Sequence, residues 1–240
     1  MIPQMKMTEL VTISIRKMNK LSPRRFMAIL AGILWLQASG LAQDEAYRPG
    51  LFFREDWKEI PAEIPLHQGH VSHPNLIVSL HGPGQDSLKK SHHDTPADDP
   101  YYVWSGLCTG NWAVSLRHSE LSMNLTGPSK IRWRSKQSGF RELHIVLRLE
   151  DGSWLVSRQG DGPSADWRIT EFNIPDLSWY GLDMDAVTET RRVDNPDLSK
   201  VVAVGFTDLM PGGKSDACSR LDWIEVYAYL VRPKQANTTH

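Results

Sequence analysis

Two segments near the C-terminus decide the fold: DLSKVVAVGFTD at residues 197–208 and LDWIEVY at residues 221–227. In the first, a mostly β-branched run from Val201 to Thr207 follows a polar turn, which predicts a strand buried on both faces. The second alternates, so every other side chain is predicted to share a face: Leu221, Trp223 and Glu225 on one, Asp222, Ile224 and Val226 on the other. Two strands joined by a loop are therefore predicted.

Short alternating runs continue through the rest of the chain. In residues 130–135 the apolar Ile131 and Trp133 point one way, and Lys130, Arg132 and Arg134 point the other. Residues 142–149 alternate likewise, and the turn at Asp151 and Gly152 predicts a hairpin. Residues 177–187 are predicted to be a loop with one helical turn. About ten such strands and no long helical period predict an all-β sandwich.

The composition is that of an ordinary globular protein, with 240 residues, of which 40% are hydrophobic and 23% charged. Six of the 27 Lys and Arg residues and one of the 28 Asp and Glu residues precede Gln43. The remaining chain therefore carries 21 basic and 27 acidic residues, a net charge of −6. An acidic domain argues against nucleic-acid binding, which depends on neutralising phosphates.

The first 42 residues have the pattern of a secretory signal peptide. A basic region ends at Arg25, residues 26–36 are apolar apart from Gly32, and small residues follow at 38–42. The apolar run is shorter than the roughly 20 residues that span a bilayer. We therefore predict a signal peptide at residues 1–42, a single domain at 43–240, and export to the periplasm, the cell surface or the medium. An uncleaved anchor is the alternative.

Cys108 and Cys218 are the two cysteines of the chain. In an exported protein such a pair can form a disulfide, here closing a loop of roughly 110 residues. Two separate buried thiols are the alternative.

The order of residues in the two C-terminal segments resembles the last two strands of galactose-binding-domain-like β-jelly rolls, the fold of many carbohydrate-binding modules. This resemblance implies an all-β sandwich of jelly-roll type whose partner is a polysaccharide or oligosaccharide. It also implies a structural calcium ion, with Asp222 at the ligand position of the final strand. Glu55 or Asp56 on the first strand can join it, because calcium takes several oxygen ligands. Otherwise these acids are hydrogen-bonded or solvated.

Basic and aromatic side chains are candidates for ligand binding. Guanidinium groups match sulfates and carboxylates, so an acidic glycan can be held by the following residues: Arg117, Arg132, Arg134, Arg141 and His144. Aromatic rings offer stacking surfaces for sugars, with three tryptophans as candidates: Trp104, Trp112 and Trp154. Alternatively, the tryptophans belong to the core and the arginines pair with nearby acids.

Catalysis is the second hypothesis. A lyase acting on uronic-acid glycans needs a cation and groups that move protons, and four residues of one polar segment qualify: His92, His93, Tyr101 and Tyr102. A hydrolase needs two carboxylates, for which no sequence spacing is diagnostic. His67, His70 and His73 recur every third residue and suit zinc or copper. On an irregular loop this spacing fixes no geometry, which favours exposed or hydrogen-bonded loop histidines.

Three functions follow from these observations. We expect an exported carbohydrate-binding protein that takes part in polysaccharide recognition or degradation. The alternative is an enzyme on an acidic glycan, a lyase before a glycoside hydrolase. The third is a structural envelope protein whose sheet contacts a partner. Convergence of His92, His93, Tyr101 and Tyr102 with the arginines in one pocket would favour the enzyme.

Overall fold

The computed structural model describes residues 48–212 and 216–232, which form fourteen strands and three short 3-10 helices. The strands are β1 (Gly50–Glu55), β2 (Leu76–His81), β3 (Lys89–Ser91), β4 (Tyr102–Trp104), β5 (Ala113–His118), β6 (Ser122–Asn124), β7 (Lys130–Ser135), β8 (Leu143–Leu149), β9 (Trp154–Asp161), β10 (Arg168–Asn173), β11 (Trp179–Asp183), β12 (Thr188–Val193), β13 (Val201–Thr207) and β14 (Arg220–Val231). The 3-10 helices are Gln68–His70, Gln85–Ser87 and Ile174–Asp176.

The strands pair antiparallel in two layers. The front sheet has the order β12-β11-β9-β8-β13-β5-β2. In the back sheet, β14 is the central strand. One of its edges pairs with β7, and β7 pairs in turn with β10. Its other edge pairs with β1 and β4, and β4 pairs in turn with β3. The short strand β6 pairs with both β13 and β14, and so connects the two sheets.

The core lies between the two layers and is built by the predicted alternation. Ile131 and Trp133 of β7 are fully buried, and β13 is buried almost throughout. A Cβ at Gly205 would overlap the carbonyl oxygen of Val114, so only glycine lets β5 pack this closely on β13. The prediction of an all-β sandwich of jelly-roll type is confirmed.

Two predictions of local structure are wrong. Residues 177–187, predicted to be a loop with a helical turn, contain β11, which pairs with β9 and with β12. The predicted faces of β14 are also wrong at its start. A bulge between Leu221 and Trp223 shifts the register, so Leu221 joins Ile224 in the core and Trp223 points outward.

Both cysteines are free thiols buried in the structure. Burial raises the pKa of the Cys108 thiol to about 12, which keeps it protonated and unreactive. The predicted signal peptide lies outside the described residues. No helix within residues 48–212 and 216–232 is long and apolar enough to cross a membrane.

A buried carboxylate ties the two sheets together. Asp161 at the end of β9 accepts hydrogen bonds from the Trp133 indole at 3.0 Å, from the Ser135 hydroxyl, and from Nε of Arg168 at 2.8 Å. Trp133 and Ser135 belong to the back sheet and Asp161 to the front sheet. Because the carboxylate is buried, its removal leaves the Trp133 indole N–H and the Ser135 hydroxyl without an acceptor.

We expect Asp161→Ala to lower the free energy of unfolding by about 3 kcal/mol, since it breaks a buried charge network. Glu150→Ala, which removes an exposed ion pair with Lys200, is the control and should change it little. Chemical denaturation measures both. Equal effects in the two variants would contradict this role of Asp161.

Candidate functional site

The hairpin of β11 and β12 crosses the outer face of the front sheet. After Gly181, β11 leaves β9, and Leu182 and Val187 pack on Ala113 and Val146, which point outward from β5 and β8. Nδ2 of Asn111 donates to the Val187 carbonyl at 2.8 Å and fixes the tip. The hairpin therefore divides this face into two separate surfaces.

The outer face of the front sheet is concave. His81 on β2 and Trp154 on β9 are four strands apart, which is about 19 Å in a flat sheet. Their ring centroids are nevertheless only 5.2 Å apart. The sheet must therefore curve around the surface that lies on the β11 side of the hairpin. We call this surface the groove; it is formed by His81, Ser115, Arg117, Arg148, Trp154, Tyr180 and Asp185.

Arginines without carboxylate partners line the groove. Strand β13 lies between the two arginines. On one side of it, Arg148 of β8 pairs with Ala203. On the other side, Leu116 of β5 pairs with Val204, which brings the next residue, Arg117, beside Ala203. Arg117 and Arg148 thus flank the small Ala203, with backbones two strands or about 10 Å apart. Arg148 also lies over the Trp154 ring, 5.5 Å from its centroid. In the part of the chain that the structure describes, neither arginine forms an ion pair.

One end of the groove opens into a cavity of 480 Å³ between His81 and the turn at Met184, Asp185 and Ala186. Nε2 of His81 lies 2.9 Å from the Ser115 hydroxyl. Burial, and then Arg148, lowers the pKa of His81, while Asp185 opposes that shift. His81 is thus neutral near pH 7 and can exchange hydrogen bonds with hydroxyl groups.

Three arginines of the back sheet, Arg54, Arg132 and Arg134, are paired with acids, in contrast to those of the groove. Arg132 contacts Glu225 at 3.4 Å and Glu171 at 3.5 Å, and Arg134 binds Asp222 at 2.7 Å. Arg54 and Arg132 also cover the ring of Trp223. Two of the predicted binding arginines therefore neutralise neighbouring acids instead of facing a ligand.

The other predicted binding residues are scattered. Arg141 is buried, where it binds Asp208 at 3.1 Å and the Met210 carbonyl at 2.7 Å. Trp112 is only 1% exposed and packs on Phe206. Trp104 lies on β4 of the back sheet, beneath Lys89. Of the predicted set, the structure brings Arg117 and Trp154 together in the groove and places His144 beyond the hairpin.

The predicted catalytic residues form a cluster at the edge of the back sheet. Nδ1 of His93 lies 2.9 Å from a carboxylate oxygen of Asp99 and 3.2 Å from the Tyr102 hydroxyl. His92 stacks on Tyr101 with ring centroids 4.0 Å apart. Tyr102 is buried, which raises its pKa, and it contacts Trp167, over which Arg134 lies. Arg134 thus approaches this cluster, whereas Arg132 does not belong to it.

The three acids predicted to bind calcium have other partners. Asp222 binds Arg134, Asp56 binds Arg54, and the buried Glu55 accepts backbone amides of Trp57, Ser72 and His73. A calcium ion at these residues stays a prediction.

A different donor group converges within the described ranges, at Glu63, His67 and His70. Nε2 of each histidine lies 3.3 Å from Oε2 of Glu63. Nδ1 of each accepts a backbone N–H, of Gly69 and of His67 respectively, so in the neutral rings Nε2 carries the proton. A histidine that binds a metal through Nε2 donates a hydrogen bond from Nδ1, whereas here Nδ1 of both rings accepts one. The three side chains therefore form a hydrogen-bonded cluster that stabilises the loop.

Sequence reasoning missed His81, Arg148 and Tyr180 as groove residues. A signal for Arg148 was present, because the apolar residues of β8 alternate and so place His144, Val146 and Arg148 on the opposite face. The hairpin that bounds the groove had no such signal.

No protein-family model matches the sequence, and no curated protein sequence is similar to it. The structure is similar to a family 11 carbohydrate-binding module of a cellulosomal cellulase from Clostridium thermocellum, at 12% identity and a TM-score of 0.43, covering 75% of this chain and 96% of that one. The same kind of module in complex with a β-1,3-1,4-mixed-linked tetrasaccharide gives 12% identity and a TM-score of 0.42, covering 71% and 98%. A family 61 module with β-1,4-galactotriose gives 12% and 0.33, covering 67% and 90%. Carbohydrate-binding modules are thus among the structures to which this chain is similar, and at these values they carry no argument about its ligand.

The lowered pKa of His81 predicts a pH dependence of stability. The unfolded chain takes up this proton more readily than the folded one, so stability is present above about pH 6.5 and is lost as the pH falls below it. His81→Gln should make this loss shallower, whereas Ser79→Ala on the same strand should not. Denaturation between pH 7 and pH 5 measures it, and equal slopes for His81→Gln and the parent would refute the assignment.

Proposed function

We propose that this protein is exported and binds an acidic polysaccharide or oligosaccharide in the groove, as a component of polysaccharide recognition or degradation. The observation that carries the proposal is the half-buried Trp154 ring beneath Arg148, with Arg117 two strands further along the same face; neither arginine has a carboxylate partner in the described residues. The leader at residues 1–42 supports export.

The aromatic part of the groove suits the apolar face of a sugar ring. The rings of Trp154 and His81 meet in a T-shaped contact at one end. Tyr180 points outward from β11, two strands from Arg148. Rings held by packing present a contact surface at small entropic cost, which favours stacking on a flat ligand.

The charged part of the groove suits a carboxylate or sulfate on that sugar. An arginine fork binds such anions with two parallel hydrogen bonds. On the back sheet the same residue type is already bound by Glu171, Glu225 and Asp222. On the concave face, the guanidinium groups of Arg117 and Arg148 have no ion-pair partner in the described residues and are available to a polyanion. Asp185 is the acid that lies near this surface.

We expect Trp154→Ala and Arg148→Gln each to weaken binding of oligogalacturonate or alginate oligosaccharides about tenfold, through lost stacking and a lost charged hydrogen bond. Titration calorimetry measures the change in Kd. Arg132→Gln is the matched control, because it removes an arginine of the back sheet that is already paired.

Equal weakening by Arg132→Gln and Arg148→Gln would reject the groove as the binding surface. Binding of neutral glucans or galactans that Trp154→Ala weakens and Arg148→Gln leaves unchanged, without binding of the acidic oligosaccharides, would reject an acidic ligand for the groove. Absence of affinity for every glycan tested would favour a structural protein whose sheet contacts a partner.

A second candidate function is a lyase on an acidic glycan, and the His93–Asp99 pair favours it. The carboxylate holds Nδ1 of His93, whose side chain is 63% exposed, so Nε2 can exchange a proton with a substrate. Tyr102, Trp167 and Arg134 extend this cluster along the back sheet. A lyase site would therefore lie apart from the groove.

If this cluster is catalytic, the protein will convert alginate or polygalacturonate to unsaturated, ultraviolet-absorbing products. His93→Ala should then abolish that signal while leaving the affinity of the groove unchanged. The exposed His67, outside the cluster, supplies the control variant His67→Ala. Unsaturated products that form equally with and without His93 would remove this candidate.

A further inference from the structure

A second cavity lies on the β12 side of the hairpin. Its volume is 330 Å³, and its walls include Phe140, Glu142, His144, Arg158, Glu189 and Met210. Leu182 and Val187 pack into the concave face between this cavity and the groove. The two surfaces are therefore separate sites.

An aromatic ring stands at the mouth of this cavity. Phe140 is 90% exposed, the most exposed large hydrophobic residue among those that the structure describes. Its neighbours are anchored, because Ser138 bonds to residues 216–218 and the buried Arg141 binds Asp208 and the Met210 carbonyl. The ring is thus held in solvent by a fixed loop, which leaves its face open to a ligand.

The polar walls lack hydrogen-bond donors on one side. Nδ1 of His144 donates to the Ser157 carbonyl at 2.9 Å, so in the neutral ring Nε2 is an acceptor. It faces Oε2 of Glu142 at 3.8 Å, a second acceptor too distant for a direct hydrogen bond. A ligand with adjacent hydroxyl groups supplies donors to both atoms.

The charges at this cavity differ from those of the groove. Glu142 and Glu189 are carboxylates, Arg158 has no ion-pair partner in residues 48–212 and 216–232, and Asp208 beneath is matched by Arg141. These side chains together carry a net charge of about −1, which disfavours uronates and sulfates. Arg158 can donate hydrogen bonds to the neutral oxygens of a sugar.

We infer that this cavity is a second carbohydrate site that takes a neutral sugar, stacked on Phe140 and hydrogen-bonded to Glu142, His144 and Arg158. The inference rests on the proposed function in that the ligand class is a saccharide. It adds an independent site that takes a neutral sugar, so that one molecule can hold an acidic and a neutral segment.

The test is calorimetric titration of the purified protein with two neutral probes, mixed-linkage β-glucan tetrasaccharide and β-1,4-galactotriose, with and without saturating oligogalacturonate. At least one neutral probe should bind equally in both conditions and equally to Trp154→Ala. Phe140→Ala and Glu142→Gln should each weaken it about tenfold. Leu107→Ala is the matched control, since Leu107 is 51% exposed on another loop and does not line the cavity.

Each result separates this inference from the proposed function. Oligogalacturonate binding without binding of either neutral probe would overturn the second site and leave the groove standing. So would neutral binding that Trp154→Ala abolishes or that Phe140→Ala leaves intact. Neutral binding lost in Phe140→Ala, without any binding of oligogalacturonate, would support the second site and overturn the acidic groove. No binding of any probe would overturn both.

Discussion

The structure depends on β14 pairing with strands of both layers at once. Its twelve residues bond to β7 along one side and to β1 and β4 along the other, and its last three residues bond to β6, which also pairs with β13. One strand thereby sets the register of the back sheet and links it to the front sheet. The bulge after Leu221 is necessary for this, because it keeps Leu221 and Ile224 in the core while Trp223 and Glu225 face the arginines of the back sheet.

A second constraint acts on the opposite face. A concave sheet with small residues on its floor would offer one continuous trough, but the β11–β12 hairpin is folded across it and fixed by Asn111. The hairpin buries Val146 and Val156 and contributes Asp185 to one side and Glu189 to the other. The same element therefore separates two surfaces and gives each its own charge environment.

The parts of this structure that follow local rules could be predicted from the sequence, and the parts set by distant pairing could not. Alternation in β7 and the unbroken apolar run of β13 identified the core strands. Residues 179–183 contain Gly181 and Asp183 and show no regular alternation, so their pairing with β9 had no local signal. Trp154 and Arg117 were predicted as binding residues, and the structure places both in the groove. Arg132 and Arg134 are paired because β10 and β14 bring acids beside them, and no spacing in the sequence encodes that register.

Arg132 and Arg134 on the back sheet are paired with acids, whereas Arg117 and Arg148 in the groove are not, and this difference affects the kinetics of the proposed binding. The chain from Gln43 onward carries a net charge of −6, so a polyanion is repelled from most directions. On the back sheet, Arg54, Arg132 and Arg134 are neutralised by neighbouring acids and do not offset this repulsion. If the groove binds an acidic glycan as proposed, the local potential of Arg117 and Arg148 will orient that glycan before contact and raise the rate of association. Stacking on Trp154 would act only after contact, so under this proposal residence time and capture rate are controlled by different side chains.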